Sequence, residues 1–267
     1  PAHKQSVLAR WIGNSPARQR AFRTITALLG ANTRRQLAVR REYFLYYKLC
    51  SQRAEEEYDF WKEECHLPPT FQSWFTITNL HVWLLMTRLR ALPAGFGEHH
   101  VQALLNHFFA DVEARIRDFL DADEAIPLSP VLTARRQTAT FYPLRRTAPG
   151  AKRKPAPEIF ISRQMKIFRE QYNGLTLALD LGLAHGSDAE LAAAVWRNLL
   201  GARGRDGIAY SGSPAEMAAR DYRDDGSGVR DFVDGELAAY VRYPGTMLAL
   251  VGYMRQEIAR LAVVPDK

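Results

Sequence analysis

Residues 70–90, TFQSWFTITNLHVWLLMTRLR, constrain the fold of this chain more than any other stretch. Large apolar side chains would fall on every side of a helix formed by these residues, with single polar residues scattered between them. A helix that is apolar all round is a buried helix, because it has no side that water can solvate well. The stretch therefore predicts the central core helix of its domain, with Trp74 and Trp83 mostly buried.

The same stretch is not expected to cross a bilayer. A spanning helix needs about 20 consecutive, mainly apolar residues. The uncharged run from Phe71 to Thr87 is shorter and includes seven polar residues. The chain is therefore predicted to lack a transmembrane helix.

Helical periodicity recurs along the chain, whereas the alternating pattern of strands is hard to find. Helix signals mark several expected ends, such as Pro68-Pro69 before residue 71 and the capping-box spacing from Ser187 to Glu190. We therefore predict an all-α fold. The predicted helices are 16–29, 34–52, 55–65, 71–91, 98–121, 159–182, 188–200 and 236–262.

Two stretches interrupt the helical pattern and predict long loops. Residues 126–157 combine prolines with paired bases, and residues 201–235 are rich in Gly, Asp and Ser, with a short helix predicted at 214–220. The expected organisation is a basic N-terminal arm, residues 1–33, followed by a compact helical domain, residues 34–267, with these two insertions.

The N-terminal region is strongly basic. The first 41 residues hold nine bases and no acid, and the whole chain has a formal net charge of +7. Such sequence is typical of an organelle transit peptide or the segment that follows one, and equally of a solvated basic arm. A start at Pro1 fits the loss of a presequence. We expect contacts with phosphate or anionic lipid from Arg34, Arg35, Arg40 and Arg41.

No set of residues assembles into a convincing active site. Cys50 and Cys65 match neither a zinc nor a redox spacing and are expected to be free thiols. His107 and Asp111 share one side of a helix, but two ligands do not make a metal site, so core hydrogen bonding is the favoured role. The sequence has no phosphate-binding loop and no nucleophile elbow. We predict a protein that is not an enzyme and needs no cofactor or metal.

One stretch matches the signature of a known family. Residues 58–90 resemble the ubiquinol–cytochrome c chaperone family, whose pattern includes C-x-L-P-x-T-F-x-S-W-F-x-I-T-x-L-H-V-W. Weaker similarity extends over about residues 40–200, and the two insertions depart from the family pattern. The matching residues are Cys65, Leu67, Pro68, Thr70, Phe71, Ser73, Trp74, Phe75, Ile77, Thr78, Leu80, His81, Val82 and Trp83.

The resemblance implies an all-helical chaperone in mitochondria, on the matrix side of the inner membrane, with a peripheral membrane contact. Its client would be newly made cytochrome b during assembly of respiratory complex III. A small assembly-factor partner and the mitochondrial ribosome would be further contacts. The residues expected to bind client or partner, or to form the signature helix, are Phe60, Trp61, Phe71, Trp74, Phe75, His81 and Trp83.

Aromatic edges at Tyr43-Tyr46-Tyr47 and at Phe60-Trp61 are expected to face a partner. His81 is expected to be a core histidine, bonded to a neighbouring carbonyl or to Thr78. The alternative function is a basic mitochondrial translation factor that binds the ribosome or RNA, and strong salt dependence of binding would reveal it.

Overall fold

The computed structural model describes residues 15–28, 33–120, 122–123, 141–142, 153–209, 229, 231–233 and 235–266. Within these residues the chain forms eight α-helices and two short π-helical turns, which confirms the predicted all-α class. The helices are α1 (Pro16–Leu28), α2 (Arg34–Leu45), α3 (Arg53–Glu56), α4 (Phe71–Arg90), α5 (Gly97–Leu120), α6 (Glu158–Ala184), α7 (Asp188–Asn198) and α8 (Leu237–Ala262). The π-helical turns are Tyr46–Cys50 and Phe60–Glu64.

Strands in the described residues are limited to two pairs of two-residue strands. Each pair lies near the two ends of one of the predicted insertions and joins them at a common base. The helix predicted at 214–220 lies outside the described residues. The pairs are β1 (Ala122–Asp123) with β2 (Arg153–Lys154), antiparallel, and β3 (Ile208–Ala209) with β4 (Phe232–Val233), parallel.

Side-chain caps begin three of the predicted helices, at Thr33, Thr70 and Ser187. The Thr70 hydroxyl accepts a hydrogen bond from the Ser73 backbone N at 3.2 Å, and α4 begins there. The Ser187 hydroxyl accepts from the Glu190 backbone N at 3.2 Å, which confirms the predicted start of α7. The chain turns away after α7 at Gly201, whose φ of 62° lies in the left-handed region that glycine tolerates.

The predicted helices 34–52 and 55–65 are each replaced by an α-helix followed by a π-helical turn. In the first turn Ser51 N donates to Tyr46 O at 3.0 Å, an i→i+5 bond that widens the helix by one residue. The Tyr46 side chain has no exposed surface there, and its hydroxyl donates to Asp111 Oδ2 at 2.8 Å. Helical periodicity in the sequence does not reveal a tertiary bond of this kind, so the sequence predicts an unbroken helix.

Helix α4 is the centre of the core, as its composition predicts. Every residue from Ser73 to Met86 is buried, and α4 packs against α3, α5, α6 and α8. Trp74 and Trp83 have no exposed surface, which confirms the prediction for both tryptophans. Burying each large apolar side chain contributes about 1.5–3 kcal/mol, so the many buried residues of α4 contribute strongly to the stability of the helical body.

A buried polar network lies beside Trp74. Arg115 and Asp111, one turn apart on α5, form an ion pair with 3.2 Å between Nε and Oδ1. The Arg115 guanidinium lies 3.8 Å from the centre of the Trp74 ring and donates to the Tyr142 hydroxyl at 2.9 Å. Both charges are therefore paired and hydrogen-bonded, which is the condition under which proteins tolerate buried charges.

Two residues from the middle of the 126–157 insertion belong to the core. Phe141 and Tyr142 are 1% and 6% exposed. The Phe141 ring lies edge-on to Tyr58 at 5.6 Å, and the Tyr142 ring lies edge-on to Phe71 at 5.9 Å. The insertion is thus attached to the body at its centre as well as at its base.

Candidate partner-binding surfaces

The signature residues of α4 lie inside the protein. Trp74, Phe75 and Trp83 have no exposed surface, and His81 is 5% exposed. The Trp83 indole Nε1 donates to Asp180 Oδ1 on α6 at 2.8 Å, so the signature joins helices that are distant in sequence. Any influence of these side chains on a partner must therefore act through the residues that cover them.

The expectation that Tyr46, Tyr47 and Trp61 present aromatic edges to a partner is wrong. Their exposed fractions are 0%, 9% and 2%. The π-helical turns contain these residues, and the Trp61 ring lies edge-on to the ring of His81 on α4, 6.3 Å between centres. Partly exposed aromatic rings remain at three of the expected positions, Tyr43, Phe60 and Phe71.

His81 is a core histidine, as expected. Its Nδ1 lies 2.8 Å from the Ile77 carbonyl oxygen and its Nε2 lies 2.9 Å from the Tyr253 hydroxyl on α8. Because a carbonyl oxygen only accepts, Nδ1 carries the proton and Nε2 accepts from Tyr253. Burial lowers the pKa of His81 to about 4, with nearby Arg53 acting in the same direction and Glu257 opposing it. The imidazole is neutral in the folded protein at neutral pH.

The neutral state of His81 predicts a loss of stability in mild acid. The unfolded chain takes up a proton on this residue near pH 6.5, whereas the folded protein does so only near pH 4. In that window the unfolded state binds more protons, so the free energy of unfolding decreases as the pH is lowered, by up to about 1.4 kcal/mol per pH unit. Urea denaturation at several pH values should show that the free energy of unfolding of a His81→Gln variant depends less steeply on pH than that of the parent. A His99→Gln variant, changed at an exposed histidine, should show the same pH dependence as the parent. Equal pH dependence in all three proteins would contradict the role given to His81.

The residues considered as metal ligands have hydrogen-bonding roles. His107 Nε2 donates to the Val39 carbonyl at 2.9 Å, and Asp111 belongs to the buried network described above. Among the described residues, no group of three or more His, Cys, Asp and Glu side chains is placed to hold a metal ion. Cys50 and Cys65 are buried free thiols, and burial raises the pKa of both.

An open groove of about 560 Å³ runs between α5 and α6. Phe109 and Tyr172 line it, and the Arg169 guanidinium lies 4.4 Å from the centre of the Phe109 ring. Glu113 is the carboxylate among the described lining residues, and it is paired with Arg117 at 2.7 Å. The groove therefore does not bring together the titratable groups that an acid–base mechanism uses.

Exposed apolar side chains follow one side of α8. Leu237, Val241 and Leu248, which we call the α8 row, are 55%, 66% and 69% exposed. Their spacing of i, i+4 and i+11 returns to one side of a helix. From Leu237 to Met254 the sequence contains no acidic residue. None of the helices in the described parts of the chain combines the length and the hydrophobicity that crossing a membrane requires.

Two glycines lie on the same side of α8 as the row. A Cβ atom added at Gly245 or Gly252 would meet no atom within 4 Å. Glycine inside a helix costs about 1 kcal/mol relative to alanine, and packing against the described residues does not require it here. The missing side chains leave room for another helix to approach the backbone of α8 closely.

The opposite side of α8 is attached firmly to the body. The Tyr243 hydroxyl donates to the Cys65 carbonyl at 3.0 Å, and the Thr246 hydroxyl donates to the Glu64 carbonyl at 3.2 Å. The bond between Tyr253 and His81 lies two turns further along. The α8 row is therefore presented on a helix that several tertiary bonds hold in place.

Three of the arginines expected to contact phosphate are exposed on α2. They are Arg35, Arg40 and Arg41. Arg34 is the first residue of α2, and its side chain lies outside the described part of the structure. The structure thus places the three described arginines on a helix that is exposed and basic.

Sequence reasoning missed the α8 row. Helix α8 is apolar on more than one side, so periodicity alone does not separate the exposed Leu248 from the buried Leu250. Two signals were present in the sequence: the lack of acids between Leu237 and Met254, and the glycines inside an otherwise helical apolar segment.

Comparison with known proteins gives relatives over much of the chain. The yeast (Saccharomyces cerevisiae) protein CBP3, mitochondrial, is 30% identical over 166 residues, which is 59% of this chain and 39% of that protein. Ubiquinol-cytochrome-c reductase complex assembly factor 1 of Xenopus laevis is 25% identical over 154 residues, 58% of each chain. The mouse (Mus musculus) assembly factor 1 is 34% identical over 71 residues, 27% of this chain and 23% of that protein.

The aligned regions span less than two thirds of each of these relatives. No solved structure matches the chain significantly. The family model described as ubiquinol-cytochrome C chaperone matches residues 63–129 and 152–267, which include α4, α5, α6, α7 and α8. Since this match covers more than half of the sequence, the chain belongs to the ubiquinol-cytochrome c chaperone family.

Proposed function

We propose that this protein is a mitochondrial assembly chaperone of respiratory complex III that binds newly made cytochrome b. The observation that carries the proposal is the family match, which extends from the signature helix α4 to the end of α8. The names of the relatives point the same way, since they describe a mitochondrial protein and assembly factors of the ubiquinol–cytochrome c reductase complex. A small partner protein, the exit of the mitochondrial ribosome and the matrix side of the inner membrane complete the proposed setting.

The α8 row is the surface on which we propose that the client binds. A newly made membrane protein presents apolar helices, and exposed Leu and Val side chains bury apolar area against such a helix. A carboxylate on this surface would lose its hydration on contact with the client, and the row has none. The open space at Gly245 and Gly252 allows close approach of the client helix.

Client binding can be tested in mitochondria that lack the endogenous protein. Parent and variant chains are expressed there, mitochondrial translation products are pulse-labelled, and the chaperone is recovered. Labelled cytochrome b should accompany the parent protein. A Val241→Ser, Leu248→Ser variant should retain about tenfold less, because two apolar side chains no longer bury area in the complex. Ile159→Ser, a matched change at an exposed position on α6, should have no effect.

The outcomes of this experiment distinguish the client-binding chaperone from the alternative translation factor. Equal recovery with all three proteins would place the client contact away from α8. Absence of labelled cytochrome b from the parent complex would contradict the proposed client. Recovery of ribosomal RNA in its place, lost steeply with added salt, would favour the basic translation factor.

A further inference from the structure

The exposed side of α2 carries both apolar and cationic side chains. Phe44 is 71% exposed and Leu37 is 46% exposed, two helical turns apart on the same side. Arg40 and Arg41 lie between them and are exposed, and exposed Lys48 follows in the first π-helical turn. Apolar and cationic groups thus share one face, which we call the α2 face.

The only acidic residue of α2 does not belong to this face. Glu42 is 1% exposed, and its Oε1 lies 2.8 Å from His100 Nδ1 on α5. Because the carboxylate points into the contact between α2 and α5, no acidic side chain of α2 is exposed among its cations. The α2 face is consequently complementary to an anionic surface.

Helix α2 is held rigidly against α5. Besides the bond between Glu42 and His100, His107 Nε2 donates to the Val39 carbonyl at 2.9 Å. The Tyr43 ring lies edge-on to the His107 ring at 5.5 Å between centres. The opposite side of the helix, with Phe44, therefore stays turned toward the surroundings.

We propose that the α2 face docks the protein on an anionic lipid bilayer, with Phe44 and Leu37 entering the interface and the neighbouring cations contacting lipid phosphate. A helix with apolar and basic side chains on one exposed face binds membranes through buried apolar area together with charge attraction. An RNA surface accounts for the cations, but its phosphates give Leu37 nothing to bury against. The inference rests on the position at the matrix side of the inner membrane in the proposed function, and it assigns residues and lipid chemistry to a contact there.

Vesicle flotation of the purified chain tests both contributions. The vesicles are phosphatidylcholine alone, or phosphatidylcholine with about a quarter cardiolipin, at about 0.05 M and 0.5 M salt. The chain should float with anionic vesicles, and part of the binding should survive high salt. Phe44→Ser should lower the salt-resistant part about tenfold. An Arg40→Ala, Lys48→Ala variant should lower mainly the low-salt part, also about tenfold.

The matched control is Phe160 on α6, which lies near the end of α5 that is remote from the α2 face. Phe160 is 55% exposed on α6 and close to Glu158, which pairs with Arg117 at 2.7 Å. Arg117 lies roughly 25 Å along α5 from His100, at a rise of about 1.5 Å per residue. Phe160→Ser should therefore leave vesicle binding unchanged, although it removes the same side chain. Thermal unfolding of each variant checks that the fold is intact.

The buried native thiols permit a direct measurement of insertion. Cys50 and Cys65 have no exposed surface, so a dye reacts with a cysteine introduced in a Phe44→Cys variant instead. An environment-sensitive dye there should shift to the blue on addition of anionic vesicles, and the same dye in a Phe160→Cys variant should not. An unchanged spectrum at position 44, or equal shifts at both positions, would overturn the proposal.

RNA is the competing occupant in the same assay. If RNA displaces the chain from vesicles and Phe44→Ser binds like the parent at every salt concentration, the α2 face is an RNA contact and the bilayer proposal fails. If the parent chain recovers labelled cytochrome b but does not bind anionic vesicles, this inference alone is overturned. If it binds anionic vesicles but recovers no cytochrome b, the proposed function alone is overturned.

Discussion

Replacing Trp83 with alanine is expected to destabilise the protein by about 3–5 kcal/mol. The indole has no exposed surface, and its Nε1 donates to Asp180 Oδ1 at 2.8 Å. The change therefore leaves a cavity in the central helix and removes a bond between α4 and α6. Urea denaturation followed by circular dichroism measures the effect, with the free energy of unfolding extrapolated to water.

Two companion variants interpret the result. Trp83→Phe keeps most of the apolar volume but lacks the N–H group, so it should cost less than Trp83→Ala. Phe44→Ala changes an exposed ring and should alter stability by no more than about 0.5 kcal/mol. If Trp83→Ala were as stable as Phe44→Ala, the central position of Trp83 in the core would be refuted.

Removing one member of the buried ion pair should have an effect of similar size. An Arg115→Met variant leaves Asp111 buried without its cation, and breaking a buried pair in this way costs about 3–5 kcal/mol. The remaining hydrogen bonds to Asp111, from Tyr46 and Ser51, keep the carboxylate only partly satisfied. Thermal and urea unfolding should both report the loss.

The double variant Asp111→Asn, Arg115→Met tests whether the uncompensated carboxylate causes the loss of stability. It removes both charges and should be more stable than Arg115→Met alone, since no buried charge is left uncompensated. Equal stability of the Arg115→Met and double variants would mean that the unpaired Asp111 carboxylate is not costly in the core, which would contradict this expectation.

Helix positions and the buried state of α4 could be predicted because both depend on local pattern. Thr70 and Ser187 act as caps, and the apolar run from Trp74 to Met86 has no polar side. The π-helical turns could not be predicted, since they depend on tertiary partners such as Asp111, which is far from Tyr46 in sequence. The expectation that Trp61 faces a partner is wrong for the same reason, because its inward position depends on tertiary contacts.

The candidate surfaces were predicted in part. The basic character of α2 follows from composition, whereas the exposure of Phe44 beside the cations depends on how α2 packs against α5. Apolar residues on α8 are visible in the sequence, but which of them are exposed depends on contacts such as that between Tyr243 and Cys65. Exposure is a property of the assembled helices, so a pattern within one helix does not determine it.

The insertion supplies core side chains that lie outside the family match. The family match omits residues 130–151, yet Phe141 and Tyr142 within that gap fill the core beside Tyr58, Phe71 and Arg115. Elongating a closed loop costs only about 0.6 kcal/mol for each doubling of its length. Lengthening the insertion on either side of Phe141 and Tyr142 should therefore cost little stability, whereas replacing either aromatic residue should disturb the core around Arg115.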